Sequence, residues 1–279
     1  MTGDTPAAAA SQRQALALYR DLGDTRGQAL AVEVLGVTQL RTGSYPEATA
    51  SYRQALRLYR EVGDRQGEGA VLGCLGAVQR LTGDYLAAAA SLQQALKIFR
   101  DIGDRTNIAA TLDDLGTQQR LTGDYPAAAA SLQQALQLFR EMANRQGQAY
   151  ALSNLGALHT ETGDYPAAAA SLRQALELFR DINGRHGQAE TLNSLGELLT
   201  RSSASRHARD HHAQALTIAR DLGVPPDEAR ALEGIGNSHL HDGNPGQAAA
   251  PLRQALAIYQ RIGAPAARRV QETLRQYGL

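Results

Sequence analysis

The chain has 279 residues, with 28 basic and 28 acidic side chains and a formal net charge of zero. That balance argues against a nucleic-acid surface, which needs a clustered excess of Arg and Lys. The single cysteine, Cys74, excludes an intramolecular disulfide framework and fits a reducing compartment, and no apolar run reaches membrane-spanning length.

The chain repeats itself every 40 residues. Gln-Ala-Leu recurs in register, ending at Leu16, Leu56, Leu96, Leu136, Leu176, Leu216 and Leu256. The stretch from Thr162 to Arg180 has near-copies starting at Thr122, Thr82 and Thr42, and a truncated copy at Thr2. A fixed period of this size means a stacked array, each unit burying its apolar face on its neighbours. In chain order the pattern predicts an orphan helix over 5–22 and helix pairs over 27–62, 66–102, 106–142, 146–182, 186–222 and 226–262. A capping helix over 265–277 follows, all in one elongated domain.

The second helix of each pair is amphipathic: Ala48, Tyr52, Ala55, Leu56 and Tyr59 share one face. Asp84, Asp124 and Asp164 stand where an N-cap is needed, and Pro46, Pro126 and Pro166 fall in the first turn. Gly43, Gly83, Gly123 and Gly163 suit the left-handed end of the preceding helix. The first helix carries Gly36, Gly76, Gly116, Gly156, Gly196 and Gly236. Glycine inside a helix costs about 1 kcal/mol against alanine, so its recurrence signals close helix approach. The alanines from Ala15 to Ala255 signal the same on the partner helix.

The fifth pair departs from this scheme. Arg201-Ser202-Ser203-Ala204-Ser205 replaces the Gly-Asp-Tyr-Pro start, and Gly223-Val224-Pro225-Pro226-Asp227 rebuilds the next turn. In the last helix Val270, Leu274 and Tyr277 share a face, with Arg268, Arg269 and Arg275 on the others, as a polar-backed cap requires.

Catalytic motifs are missing. The only lysine, Lys97, has no glycine-rich loop before it, and neither His-Glu-x-x-His nor Gly-x-Ser-x-Gly occurs. Cys74 reads as a small packed hydrophobe rather than a nucleophile. His207 and His211 have a chelating i, i+4 spacing with His212 beside them, but only Asp210 is at hand to complete a set, so a solvated polar face is the plainer reading. No enzyme activity, metal or cofactor is expected.

The aromatic-x2-Leu-Gly-x2-Tyr pattern finds counterparts in Leu152, Leu155, Gly156 and His159, and Ala168, Leu172 and Ala175 supply the Ala-x3-aromatic part. In these features the chain resembles the tetratricopeptide repeat (TPR) family. The period is longer than that family's usual one by about six residues. No Trp occurs, the helix-ending Pro is absent, and Gln39, Gln79 and Gln119 replace the Tyr. The long form is similar to arrays in spindle-orientation adaptors, kinesin light chains and bacterial regulators. The resemblance implies an all-α, right-handed α-solenoid of antiparallel helix pairs with a concave groove.

One stripe on the first helices varies between copies: Glu33, Val37, Leu40; Gly73, Ala77, Arg80; Asp113, Thr117, Arg120; Ser153, Ala157, Thr160; Asn193, Glu197, Thr200; Glu233, Asn237, Leu240. Each triplet lies on one face, and the resemblance places that face in the groove. The expected partner-binding residues are Glu33, Val37, Ala77, Arg80, Asp113, Asp114, Thr117, Arg120, Tyr150, Ser153, Asn154, Asn193, Glu197, Glu233 and Asn237. Asn154 and Asn193 can pair with a peptide backbone, Tyr150 adds an amphipathic contact, and the acidic excess suits Arg or Lys on a partner.

The expected function is a non-catalytic module that binds a protein or peptide, in the cytoplasm, without direct contact to nucleic acid or membrane. Because the pattern begins one residue after Met1, the chain is expected to be the C-terminal sensor part of a multidomain bacterial transcriptional or signalling regulator. The alternative is a sensor that encloses a small molecule or signalling peptide.

Overall fold

The computed structural model describes residues 5–202 and 204–279, so the start of the copy at Thr2, and Ser203 in the fifth joint, lie outside the described residues. The described residues form helices and no strand: α1 (Thr5–Asp21), α2 (Thr25–Arg41), α3 (Tyr45–Glu61), α4 (Arg65–Leu81), α5 (Tyr85–Ile102), α6 (Arg105–Leu121), α7 (Tyr125–Glu141), α8 (Arg145–Thr162), α9 (Tyr165–Asp181), α10 (Arg185–Arg201), α11 (Ser205–Leu222), α12 (Pro225–His241), α13 (Pro245–Arg261) and α14 (Ala266–Gln276).

Both kinds of helix are capped by side chains. Asp84, Asp124 and Asp164 accept from the backbone N–H three residues on. Asp24, Asp64, Asp104 and Asn144 do the same for the first helices of their pairs. Those helices therefore begin a residue or two before the apolar periodicity suggests, because the cap fixes the start.

The recurring small residues set the spacing within a pair. A Cβ added at Gly156 would fall 2.5 Å from Leu172 Cγ, and one at Gly116 would fall 2.6 Å from Leu132 Cγ. Ala135, Ala175 and Ala255 are fully buried. The glycine removes bulk where the knob of the partner helix enters, and the alanines let the backbones approach.

Successive first helices, α2 through α12, touch one another, most extensively around α8, α10 and α12 and least between α2 and α4; the second helices have no comparable contact. The first helices therefore line the inside of the curve, and the solenoid bends most tightly toward its C-terminal half.

The curve comes round on itself. Gly43, in the turn between α2 and α3, lies so close to Ile262 that an added Cβ would sit 2.6 Å from Ile262 Cγ2, and Gly83 meets Pro265 in the same way at 3.2 Å. Burial records the closure. Tyr45 is 1% exposed, while its equivalents Tyr85 and Tyr125 are 36% and 37% exposed; Ile262 is 5% exposed against 42% for Val62. Residues in identical local settings differ because the two ends of the array cover each other.

Candidate partner-binding groove

The inner face is built from three rows of the first helices. One row contains Asp113 and its register mates, a second contains Asp114 and Asn154, and a third contains Leu30, Ala70, Ala110, Tyr150, Glu190 and Arg230. Several expected groove residues prove to be taken up by packing within and between repeats. Glu33 accepts from the Tyr59 hydroxyl at 2.7 Å. Glu233, buried, accepts from Tyr259 at 3.0 Å and from both Arg269 nitrogens at 2.9 and 2.8 Å. Ser153 is buried and accepts from the Thr191 hydroxyl at 3.2 Å; Thr117 is also buried.

Asn193 is fully buried, with its Oδ1 3.0 Å from His212 Nδ1 and its Nδ2 without a partner. It faces the second helix of its own pair and not the groove. His212 occupies the knob position held by leucine in α5, α7, α9 and α13, and its larger ring reaches both Gly196 and Gly234. Its burial separates it from exposed His207 and half-buried His211, so the three histidines do not converge on one point.

Other side chains do face the interior. Val37 is 39% exposed, and Ala77, Arg80 and Asn237 are partly exposed. Asp113 accepts from Asn154 Nδ2 at 2.9 Å, while its Oδ1 is buried without a partner. Burial, with adjacent Asp114 adding like charge, pushes the Asp113 carboxyl up to about 7. Asp114 and Glu190 are raised too, chiefly by burial. The charge of Arg80 acts on Asp113, Asp114 and Glu190 together, so α4, α6 and α10 look at one another across the interior. Arg80 itself makes no ion pair with a described residue. Tyr150 packs edge-on against Phe179, with centroids 4.8 Å apart.

Two further acids are neutralised in place. Burial works to raise the Glu197 carboxyl, but the charge and hydrogen bond of Arg230, at 2.9 Å, hold it down at about 2. Arg120 pairs with Glu161 of the next repeat. The interior thus holds arginine-paired acids, Glu161 and Glu197, and an acid-rich set without an arginine ion pair, Asp113, Asp114 and Glu190.

Models of tetratricopeptide repeats match residues 68–141 and 147–221, and a second such model matches residues 2–62 and 212–265. The chain belongs to the tetratricopeptide repeat family. No curated protein matches it. Among solved structures, this TPR chain is similar to the apo form of RapI, at 14% identity and TM-score 0.74, covering 93% of each chain. It is also similar to a Rap protein complexed with competence and sporulation factor, at 14% identity and TM-score 0.68, covering 91% of this chain and 75% of that one. A third match is the Rap conjugation gene regulator of plasmid pLS20 in complex with the Phr* peptide, at 15% identity and TM-score 0.66, covering 87% and 75%. At this identity the likeness is one of TPR fold.

The row that contains Glu190 and Arg230 escaped the sequence reading, which took only Tyr150 from it. The signal was present: six aligned positions hold six side chains spanning Leu, Ala, Tyr, Glu and Arg within an otherwise constant framework.

Proposed function

We propose that this chain is a non-catalytic TPR module that takes a peptide carrying Arg or Lys side chains along the inside of its superhelix. The observation that carries the reading is the set Asp113, Asp114 and Glu190. All three carboxyls are raised by burial, and Asp113 Oδ1 has no hydrogen-bond partner. Carboxylates crowded in a partly desolvated interior gain from an added cation. Tyr150 and Asn154 stand beside them as an apolar face and a backbone-pairing amide.

Closure of the superhelix favours a peptide-sized ligand over a globular partner domain, since the inner face is shared by both ends of the array. Two of the similar Rap structures hold a named factor or peptide, which supports the same class of ligand here. A role as the sensor part of a bacterial regulator fits this picture.

The test is selection from a displayed random peptide library against the full chain, followed by binding to the double variant Asp113→Arg with Asp114→Arg. The expected result is enrichment of basic peptides whose association slows with added salt and is lost in the variant. Exposed charge pairs contribute only about 0–1 kcal/mol each, so the salt effect appears mainly in the association rate. Enriched peptides without basic residues that bind a correctly folded variant equally well would overturn the proposal.

A further inference from the structure

The structure assigns a second site to the inner face, sharing Glu190 with the peptide site: His186, Glu190 and Asp227 form a three-ligand site for a first-row divalent cation such as zinc. One ligand atom from each residue lies within 4.8 Å of the other two. His186 Nε2 is 3.1 Å from Asp227 Oδ2, and its Nδ1 is 3.7 Å from Glu190 Oε2. A tetrahedral zinc site with bonds of about 2.0–2.2 Å places its ligand atoms roughly 3.3–3.6 Å apart. The two contacts use opposite ring nitrogens and one metal ion takes one of them, so the ring must turn to bring a single nitrogen between both acids; His186 and Glu190, with side chains 47% and 36% exposed, have the freedom to do so.

His186 and Glu190 share one face of α10 at i, i+4, and Asp227 enters from the first turn of α12. The aspartate is there through a paired change in the framework. Its register mates Gly67, Gly147 and Gly187 lie against the rings of Tyr59, Phe139 and Phe179. At the equivalent ring position the chain has Ala219. Asn107, the one other side chain in this register, coexists with the Phe99 ring by turning back to Asp104, so Asp227 is the one acid in the register and the one residue in it with no ring beside it.

Charge argues for an added cation independently of distance. Asp227 is 9% exposed, and its Oδ2 has no hydrogen-bond partner, only the ion-pair contact from His186. Two carboxylates flank one imidazole, so an imidazolium can neutralise only one of them. Nearby Arg230 is committed to Glu197 and to the Ser194 hydroxyl at 3.1 Å, and Arg80 reaches Glu190 only as a charge across the interior, without an ion pair. A dication balances both carboxylates. The mixed nitrogen and oxygen set favours zinc or a neighbouring transition metal over calcium or magnesium, which take oxygen ligands. Three protein ligands leave a position open toward the interior, as in sites that also bind a second molecule.

The test is titration of the metal-free full chain with ZnCl2 by calorimetry, and with Co2+ by visible absorption. One zinc per chain and cobalt bands of a four- or five-coordinate site are expected. His186→Ala and Asp227→Asn should each weaken zinc binding on the order of tenfold or more, with unchanged far-ultraviolet circular dichroism. The double variant His207→Ala with His211→Ala should bind zinc as the parent does. No stoichiometric binding would overturn the assignment. So would binding that survives both His186→Ala and Asp227→Asn, or that is lost in the His207 and His211 variant.

Discussion

The Tyr259 hydroxyl donates to Glu233 at 3.0 Å, and the same bond recurs near the other end of the array, from Tyr59 to Glu33 at 2.7 Å. In α5, α7 and α9 the equivalent aromatic is phenylalanine, and the residue in the glutamate's register is Gly73, Asp113 or Ser153. Hydroxyl and glutamate occur together, so tyrosine is the partner that a glutamate in this register takes. Tyr259→Phe should leave Glu233 short of one donor and cost about 1.5–3 kcal/mol. Chemical denaturation of the variant checks this, and an unchanged midpoint would mean that Arg269 alone satisfies the carboxylate.

Ala175 is fully buried at the contact between helices. Ala175→Leu adds three heavy atoms where no space exists and should cost about 1–3 kcal/mol. The measurement is the urea midpoint; retention of the parent value would reveal slack in the interface.

Burial holds the His212 imidazole down at about 4, against 6.5 when free, despite the opposing charge of Glu197. The unfolded chain therefore binds more protons at this group than the fold does. Its contribution to stability is complete above pH 6.5 and is lost as the pH falls toward about 4. Between these limits the parent should lose more stability than His212→Leu, by an amount up to about 3 kcal/mol. Parallel pH profiles of the melting temperature for the two proteins would refute this. The variant starts lower at neutral pH because Asn193 loses its partner.

Helix α11 begins at Ala204 with no side-chain cap, whereas α7 begins at Asp124, which accepts from Ala127. In a one-dimensional array a weak start lowers the local opening energy. Amide exchange should be faster over residues 205–210 than over residues 125–130. Equal protection would show that packing against α10 and α12 replaces the missing cap.

The fold was legible because the array states its rule repeatedly. Glycine at Gly36 and its mates and alanine at Ala55 and its mates leave one arrangement of helices, and family and structure agree on it. The site was legible only in part. A period of 40 residues identifies which positions vary, but not whether a varying polar side chain points to a ligand or to the next repeat. Asn193 and Asp113 occupy the same register position, yet Asn193 is fully buried on His212 while Asp113 meets Asn154. That choice depends on long-range partners such as His212, whose size no local pattern relates to Asn193. The contacts of Ile262 and Pro265 with Gly43 and Gly83 were equally invisible, because they follow from curvature accumulated over the whole chain.

Those end-to-end contacts change what kind of object the array is. A linear stack frays from its tips, and each unit answers only to its neighbours. Here the first full pair and the last share a seam, so loosening one tip exposes Tyr45 and Ile262 together. The pitch becomes a fixed quantity: adding or deleting one 40-residue unit would part the seam even if every local interface were preserved. Any ligand that widened the coil would then be felt at this seam, far along the chain from where it bound.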